Sequence, residues 1–261
     1  MQFSFYKYQG TGNDFVILDN RDAAYDAITP KQVKYICERR FGIGADGLML
    51  LNLKEGYDFE MVYYNADGNP SSMCGNGGRC LVKFAHDMGL RKLIYKFVAI
   101  DGEHEADMEG KIVRLKMKDV ETVEEHSGYA VLNTGSPHYV KFVTDLEATD
   151  VAGNGKSIRN GREFAEEGIN VNFVENTGDD SIFVRTYERG VEDETLSCGT
   201  GVTAASLVSA HNARGFNRVE VKTIGGNLSV EFNKVSEQHF TDVWLCGPAT
   251  FVFKGEIELP L

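Results

Sequence analysis

Hydrophobic and polar residues alternate along several short segments of the chain, and this pattern predicts β-strands. In Lys111–Val120, apolar residues alternate with arginine and lysine, as expected for a strand with one buried and one solvated face. Ile182–Tyr187 and Asn227–Phe232 alternate in the same way, and Phe59–Asn65 and Ile169–Val174 also have strand character. The chain is therefore predicted to be rich in β-sheet.

Fewer segments have helical character. Pro30 followed by Lys31–Arg39 predicts a surface helix with proline in its first turn. Two further helices are predicted after glycine-rich segments, at Arg79–Gly89 and Val202–His211. The second of these is small or apolar on nearly every side, and a helix without a polar face must be buried all round. In a half made mostly of strands, we expect a sheet curled around that helix.

Three pairs of short segments match in the same order at nearly constant separation, which indicates an internal repeat. They are "CGNG" at Cys74 with "CGTG" at Cys198 (124 positions), "TGNDFV" at Thr11 with "TGSPHYV" at Thr134 (123 positions), and "GIGAD" at Gly42 with "GINVN" at Gly168 (126 positions). Each match is weak alone, but the shared separation predicts two homologous halves.

The predicted domains are residues 1–120 and 121–249, because the acidic run Glu121–Ser127 lacks periodicity. The expected fold class is α/β (α+β), with two pseudo-symmetric domains, each a mixed, curled β-sheet wrapped around a central helix. The strand-like end of the chain has no counterpart inside the second half. Its strand at 250–261 is expected to pack back onto the first half.

Composition and charge narrow the possible functions. The 261 residues have a formal net charge of −12 and no dense cluster of lysine and arginine, which argues against a nucleic-acid-binding protein. No apolar run approaches the roughly 20 residues that a membrane helix needs. The segment Met1–Lys7 lacks the features of a signal peptide. We therefore expect a cytoplasmic protein that binds neither nucleic acid nor membrane.

The five cysteines do not suggest a disulfide framework, since an odd number in a cytoplasmic chain argues against one. Neither C-x-x-C nor H-x-x-x-H occurs, so no metal site is expected. Cys37, Cys80 and Cys246 lack any special context and are predicted to be core residues. Cys74 and Cys198 differ, because each precedes a predicted helix and is followed by Gly-X-Gly.

A cysteine at the start of a helix has its thiolate stabilised by the unpaired N–H groups and the helix dipole. The same N–H groups can bind a carboxylate. Either motif alone is more often an ordinary turn into a helix with a buried cysteine. Duplication favours function, because two opposed thiols could remove a proton from one face of a carbon and return one to the other. This chemistry suits an epimerase or racemase.

These residues resemble the diaminopimelate epimerase family over nearly the whole chain. The resemblance runs in order through "GTGNDFV", "RRFGIGADG", "NADGN", "MCGNGGRC", "TGSPHYV", "INVNFV" and "YERGVEDETLSCGTG". It implies an isomerase that needs no pyridoxal phosphate or other cofactor and interconverts LL- and meso-2,6-diaminopimelate, in lysine and peptidoglycan precursor synthesis. It also implies two α/β domains and a cytosolic homodimer.

The resemblance also implies roles for individual residues. Cys74 and Cys198 match the two catalytic acid/base groups. The remaining matched positions bind substrate, through the backbone around the α-carboxylate or through side chains on the amino-acid head groups. They are Gly75, Asn76, Gly199 and Thr200 for the first role, and Asn13, Asn65, Asn170, Glu188 and Arg189 for the second. Arginine suits a carboxylate as a charge-assisted fork.

The chain departs from the family pattern at three places. Ser136 stands where many members have asparagine, and Gly47 stands where some members have a ligand-contacting glutamine. The run between Arg189 and Cys198 is one residue longer than a common form. His138 matches a position near the family's active site and is expected to have a supporting role. These departures concern recognition of the distal end of the substrate.

Two alternatives remain open at the level of sequence. One is a proline or hydroxyproline racemase of the same two-cysteine type, which would need no site for a distal carboxylate. The other is a non-catalytic anion-binding module with inert cysteines.

Overall fold

The structure is a computed structural model, and it describes residues 2–258. Contacts divide the chain into two compact units. The first comprises Met1–Leu115 and Pro248–Leu261, and the second comprises Lys116–Gly247.

The first unit is a mixed sheet with two helices. Its strands pair in the order β17-β1-β2-β3-β4-β5-β6-β7, and the pairs β2/β3 and β4/β5 are parallel while the others are antiparallel. The elements are β1 (Gln2–Gly10), β2 (Asn13–Asp19), α1 (Pro30–Cys37), β3 (Gly47–Asn52), β4 (Phe59–Asn65), α2 (Gly75–Asp87), β5 (Tyr95–Ala99), β6 (Gly102–Glu109), β7 (Ile112–Lys116) and β17 (Thr250–Glu258).

The second unit repeats this arrangement. Its strands pair in the order β8-β9-β10-β11-β12-β14-β15-β16, again with the third and fifth pairs parallel, and β13 pairs with the end of β12. The elements are β8 (Val123–His126), β9 (Tyr129–Asn133), β10 (Pro137–Phe142), α3 (Val151–Arg159), β11 (Asn170–Gly178), β12 (Ser181–Glu188), β13 (Asp193–Thr195), α4 (Gly199–Val208), β14 (Gly215–Thr223), β15 (Gly226–Lys234) and β16 (Phe240–Pro248).

Each sheet curves around one helix, which confirms the expected fold class. Helix α2 contacts strands as far apart in the sheet order as β17 and β6, and α4 contacts strands from β9 to β15. A flat sheet could not bring strands so far apart in its order against one helix. Both helices are buried over most of their length, and α4 is buried as its apolar sequence predicts.

Several boundaries differ from the sequence-based expectation. Helix α1 ends at Cys37 rather than Arg39, because Glu38 adopts extended backbone angles. Helix α4 spans Gly199–Val208, so it begins earlier and ends earlier than 202–211. Within the acidic run that lacks periodicity, Val123–His126 forms strand β8, which was not predicted.

Helix α3 was not predicted at all. Its sequence, VAGNGKSIR, contains two glycines and shows little apolar periodicity, so its stability depends on context. The side chain of Asp150 caps it by accepting a bond from the N–H of Gly153 at 2.9 Å. Contacts with β11, β12 and β13 hold it against the sheet.

Candidate active site

Cys74 lies at the N-cap of α2, in the first unit. Its backbone is extended, with φ −102° and ψ 132°, and no side chain caps the helix at this end. The N–H groups of the first helical turn have no partner within the helix. Such groups can bind an anion, and here they lie beside the half-buried thiol of Cys74.

The thiol of Cys74 faces an oxygen acceptor. It donates to Oδ1 of Asn13 at 3.6 Å, and Nδ2 of Asn76 donates to the same oxygen at 3.3 Å. Nδ2 of Asn13 donates to Oδ2 of Asp46 at 2.6 Å. A carboxylate can only accept, so Asp46 fixes which way the Asn13 amide points. Asn13 therefore presents its carbonyl oxygen to the site.

A cluster of paired charges supports Asp46. Arg39 bonds Asp14 at 2.7 Å and Asp46 at 2.8 Å, and Lys7 bonds Asp14 at 2.7 Å. Burial alone would raise the pKa of Asp14, but hydrogen bonds from Arg39 and Lys7 outweigh it and lower that pKa to about 2. The carboxylate of Asp14 is therefore charged at neutral pH. The cluster holds β1, β2 and the loop before β3 in register beside Asn13.

Asn65 and Gly47 face each other across strands β3 and β4. Asn65 is exposed and begins a turn in which its N–H donates to the carbonyl of Asn69 at 3.0 Å. A side chain at position 47 would meet the ring of Tyr63 at 2.4 Å and the carbonyl of Tyr64 at 2.7 Å. Tyr63 therefore occupies the space that a glutamine would need, which accounts physically for glycine here.

Cys198 lies at the N-cap of α4, in the second unit, in nearly the same backbone conformation. Its φ is −112° and its ψ 110°, and again no side chain caps the helix. The thiol is 7% exposed and lies 3.5 Å from the hydroxyl of Thr200. Thr134 donates to the carbonyl of Thr200 at 2.8 Å, so the turn that follows strand β9 holds this first turn in place.

Asn170, Glu188 and Arg189 of the second unit lie near the end of β12. Oδ1 of Asn170 accepts from the N–H of Arg189 at 2.9 Å, and Nη1 of Arg189 donates to the carbonyl of Glu167 at 2.8 Å. Arg189 is exposed, and Glu188 beside it is partly exposed. The carbonyl of Ser136 accepts from the N–H of Thr134 at 3.2 Å, which places Ser136 beside the α4 first turn.

His138 is completely buried beside Asn170 on the neighbouring strand. Nδ2 of Asn172 lies 3.1 Å from Nδ1 of His138. An amide nitrogen can only donate, so Nδ1 accepts and the ring proton lies on Nε2. Nε2 has no hydrogen-bond partner among the described residues. Burial, and secondarily the charge of Arg189, lower the pKa of His138 to about 3, so the ring is neutral.

The structure thus brings together Asn13, Cys74, Gly75 and Asn76 in the first unit. In the second unit it brings together Cys198, Gly199 and Thr200, and separately Asn170, Arg189 and His138. Sequence reasoning missed four supporting residues: Asp46, Arg79, Thr134 and Asn172. Each lies inside a motif that was recognised, but only their contacts distinguish them from turn or core residues.

Cys37, Cys80 and Cys246 are buried core residues, as predicted. Among residues 2–258, no cluster of three or more histidine, cysteine or acidic side chains could hold a metal ion. No helix within that range is long and apolar enough to cross a membrane.

Comparison with known proteins agrees with the repeat. The family model described as diaminopimelate epimerase matches twice, at residues 5–128 and 129–252. The two matches begin 124 positions apart (129 − 5), the separation of Cys74 and Cys198.

Two relatives cover nearly the full chain. A diaminopimelate epimerase from Flavobacterium psychrophilum is 49% identical over 97% of this chain and 99% of its own length. One from Chlorobaculum tepidum is 44% identical over 96% of this chain and 99% of its own.

Solved structures share the fold at low sequence identity. A phenazine biosynthesis protein of the PhzF family from Bacillus anthracis has a TM-score of 0.73 at 15% identity, covering 99% of this chain and 100% of its own. A hydroxyproline epimerase from Agrobacterium vitis has a TM-score of 0.65 at 13% identity, covering 98% of this chain and 91% of its own.

Proposed function

The chain belongs to the diaminopimelate epimerase family, and we propose on that basis that it interconverts LL- and meso-2,6-diaminopimelate by proton transfer at the α-carbon. The observation that carries this proposal is the duplicated helix start. In each unit a cysteine at an uncapped N-cap lies beside first-turn N–H groups.

In the proposed mechanism, one thiolate removes the α-proton and the other thiol returns a proton to the opposite face. The C–H bond breaks as an S–H bond forms at the first sulfur, and its electron pair delocalises towards the α-carboxylate. A new C–H bond then forms with that electron pair on the opposite face, as the S–H bond of the second thiol breaks and leaves a thiolate. The backbone N–H groups of Gly75, Asn76, Gly199 and Thr200 would hold that carboxylate. They would bind it more tightly as negative charge develops, which lowers the barrier.

The remaining residues would recognise the amino-acid head groups. Arg189 would hold the distal carboxylate as a charge-assisted fork, and Glu188 would pair with an ammonium group. Asn13, Asn65 and Asn170 would complete the contacts. Because Asp46 orients the Asn13 amide, the group that faces Asn13 should be a hydrogen-bond donor. Ser136 and His138 would support this site, and Gly47 leaves space to Tyr63.

Proton exchange in deuterated water tests the proposal. The enzyme, kept reduced, is incubated with LL-diaminopimelate, meso-diaminopimelate or proline, and the α-carbon is followed by NMR. Deuterium entering diaminopimelate but not proline is the expected result. Exchange with proline alone would favour the racemase alternative, and no exchange with any of these amino acids at several pH values would favour the non-catalytic module.

We further propose that the protein is a cytoplasmic homodimer, as the family resemblance implies. Sedimentation equilibrium should give about twice the chain mass of 29.0 kDa at micromolar concentration. A chain that stays at its single mass throughout the accessible concentration range would show that the dimer is absent.

A further inference from the structure

Positions 47 and 170 correspond in the two units. In the first unit Phe15 pairs with Gly47 and Met49 with Tyr63, and in the second His138 pairs with Asn170 and Asn172 with Thr186. Each residue of the second set follows its counterpart by 123 positions (170 − 47 = 186 − 63 = 123). The strand register therefore matches Gly47 with Asn170, and Tyr63 with Thr186.

The two units differ in the side chain at this position. Asn170 has an amide, which accepts from the N–H of Arg189 at 2.9 Å and donates to the carbonyl of Pro137 at 3.3 Å. Gly47 has no side chain, and Tyr63 occupies its space from the neighbouring strand. A Cβ at Gly47 would lie 2.4 Å from Cε2 of the Tyr63 ring and 3.0 Å from its Oη. The phenolic oxygen therefore lies where the end of a side chain at position 47 would lie.

Tyr63 also differs from its own counterpart. Thr186 is 3% exposed, and its hydroxyl donates to Oδ1 of Asn172 at 2.9 Å inside the second unit. Tyr63 is partly exposed, and its longer side chain brings a hydroxyl beside Gly47. The first unit thus has a hydroxyl at the place where the second unit has the amide of Asn170.

Packing accounts for the ring of Tyr63. The ring meets Phe15 edge-on, with centroids 6.0 Å apart and an interplanar angle of 75°. Phe15 and Met49 also face helix α2, where they would contact a Cβ at Gly77. A phenylalanine at position 63 would fill the same space, so this packing does not require the hydroxyl.

Position 47 shares one face of the sheet with Asn13 and Asn65, which are both proposed to bind substrate. Phe15, two residues after Asn13 on β2, pairs with Gly47, and Gly47 pairs with Asn65. Alternate residues of a strand point to the same face, as do paired residues of neighbouring strands. Position 47 is therefore one strand across and two residues along from Asn13, roughly 8 Å between Cα atoms. Because Asn13 faces the thiol of Cys74, position 47 suits the end of the substrate that does not react.

Resting on the proposed function, we propose that Tyr63 is a substrate-binding residue. Its hydroxyl takes the place of the side chain that position 47 lacks, and it hydrogen-bonds the non-reacting head group of diaminopimelate. A phenolic hydroxyl both donates and accepts. It can therefore bond the carboxylate or the ammonium of that head group and keep a bond to the protein at the same time.

Steady-state kinetics of Tyr63→Phe test the inference, because this variant removes the hydroxyl and keeps the ring. The assay is conversion of LL- to meso-diaminopimelate. A hydrogen bond to a charged group is worth about tenfold in binding, so KM should rise about tenfold. The bond is made away from the reacting carbon and equally in the ground and transition states, so kcat should stay within about twofold of the wild-type value. Urea unfolding of the variant should match the wild type, since the ring contacts remain.

Tyr64→Phe is the matched control. Tyr64 is the next residue of β4, and its side chain packs on the opposite face against the cluster that contains Val33 and Leu48. This variant also removes one phenolic hydroxyl from the same strand. It should leave both KM and kcat at their wild-type values.

Two double variants separate a polar group at this place from the tyrosine itself. Tyr63→Val suits a strand and opens the space beside position 47. Gly47→Gln/Tyr63→Val brings an amide into that space, and Gly47→Met/Tyr63→Val brings an apolar side chain of similar length. The glutamine variant should have a KM lower than the methionine variant by about fivefold. Equal KM values in the two double variants would overturn the inference.

Deuterium exchange into diaminopimelate by the wild-type protein reports separately on the proposed function. No exchange in the wild type would reject both the function and the role of Tyr63. Normal exchange with an unchanged KM in Tyr63→Phe would leave the function intact and reject only the role of Tyr63. A lower kcat at unchanged KM would place the hydroxyl at the reacting carbon and would also reject the inference as stated.

Discussion

At the scale of single residues, the position of the two cysteines supports the acid/base role proposed for them. Each occupies an N-cap in extended conformation, where serine, threonine or aspartate would normally cap the helix. Neither cysteine side chain makes such a cap. Each helix start therefore lacks a stabilising side-chain cap from its N-cap residue, and such a start can bind an anion next to the thiol.

Replacing either cysteine by serine should abolish epimerisation. Cys74→Ser and Cys198→Ser should each lower kcat by roughly 10³-fold or more, since a serine hydroxyl is a far weaker acid/base group at neutral pH. The assay is conversion of LL- to meso-diaminopimelate by chiral chromatography. Cys246→Ser is the matched control, because Cys246 is a buried core thiol, and this variant should keep its activity. Full activity in either N-cap variant would refute the two-base assignment.

His138 should make the protein less stable in acid. Its pKa is about 3 in the folded protein and near 6.5 when unfolded, so between these values the unfolded chain binds more protons. Stability is therefore complete above pH 6.5 and falls as the pH drops, by about 1.4 kcal/mol per unit from this group.

Urea unfolding at pH 7 and pH 5 measures this contribution. Wild-type protein should lose about 2 kcal/mol more between these values than His138→Gln. His211→Gln, at an exposed site, is the control and should behave as wild type. An identical loss in wild type and His138→Gln would show that the buried ring does not titrate as described.

At the scale of elements, the sequence predicted the positions of the strands and central helices better than it predicted the role of the glycines at the helix starts. The two Gly-X-Gly motifs were interpreted as bare backbone for a ligand. The structure adds a packing role for the second glycine of each motif. A Cβ at Gly77 would lie 3.3 Å from the sulfur of Met49, and one at Gly201 would lie 2.2 Å from Oδ1 of Asn172. Such contacts depend on residues distant in sequence, so no local pattern reveals them.

The corresponding glycines should tolerate alanine differently. Alanine favours a helix over glycine by about 1 kcal/mol, and Met49 is flexible, so Gly77→Ala should change the free energy of unfolding by less than about 1 kcal/mol. Asn172 is held by Thr186 at 2.9 Å and by the carbonyl of Tyr139 at 3.0 Å. Gly201→Ala should therefore destabilise the protein by about 1–3 kcal/mol. Urea denaturation compares the free energies of unfolding of the two variants. Equal destabilisation by Gly77→Ala and Gly201→Ala would contradict this account.

At the scale of the whole molecule, the repeat was visible in sequence because three motifs recur at one separation. The boundaries at residues 120 and 249 stay a prediction about domains, while contacts divide the chain at 115/116 and 247/248. The strand within the acidic segment 121–127 was not predicted, because a short, exposed strand such as β8 needs no apolar alternation. Strand β8 is stabilised by pairing with β9, and the composition of residues 121–127 does not predict that pairing.

The C-terminal strand completes the first unit, so the halves are not separable at one cut. Of the predicted strand at 250–261, residues 259–261 lie outside the described range. Strand β17 pairs antiparallel with β1 from Gln2↔Glu258 to Gln9↔Thr250, and the rings of Phe251 and Phe253 contact Tyr8 and Phe5. In the second unit β8 has the same place in the sheet, but it comes before its partner strand in the chain.

A chain that ends at Ala249 should therefore be destabilised in its first unit. Loss of β17 leaves the polar groups of β1 unpaired along one edge and exposes Phe5 and Tyr8, so we expect a loss of several kcal/mol. Amide hydrogen exchange should show faster exchange in β1 and β2, with β10 and β11 largely protected. A chain that ends at Glu258 keeps all of β17 and serves as the truncated control. Unchanged protection of β1 in the shorter chain would mean that β17 contributes nothing to the first unit.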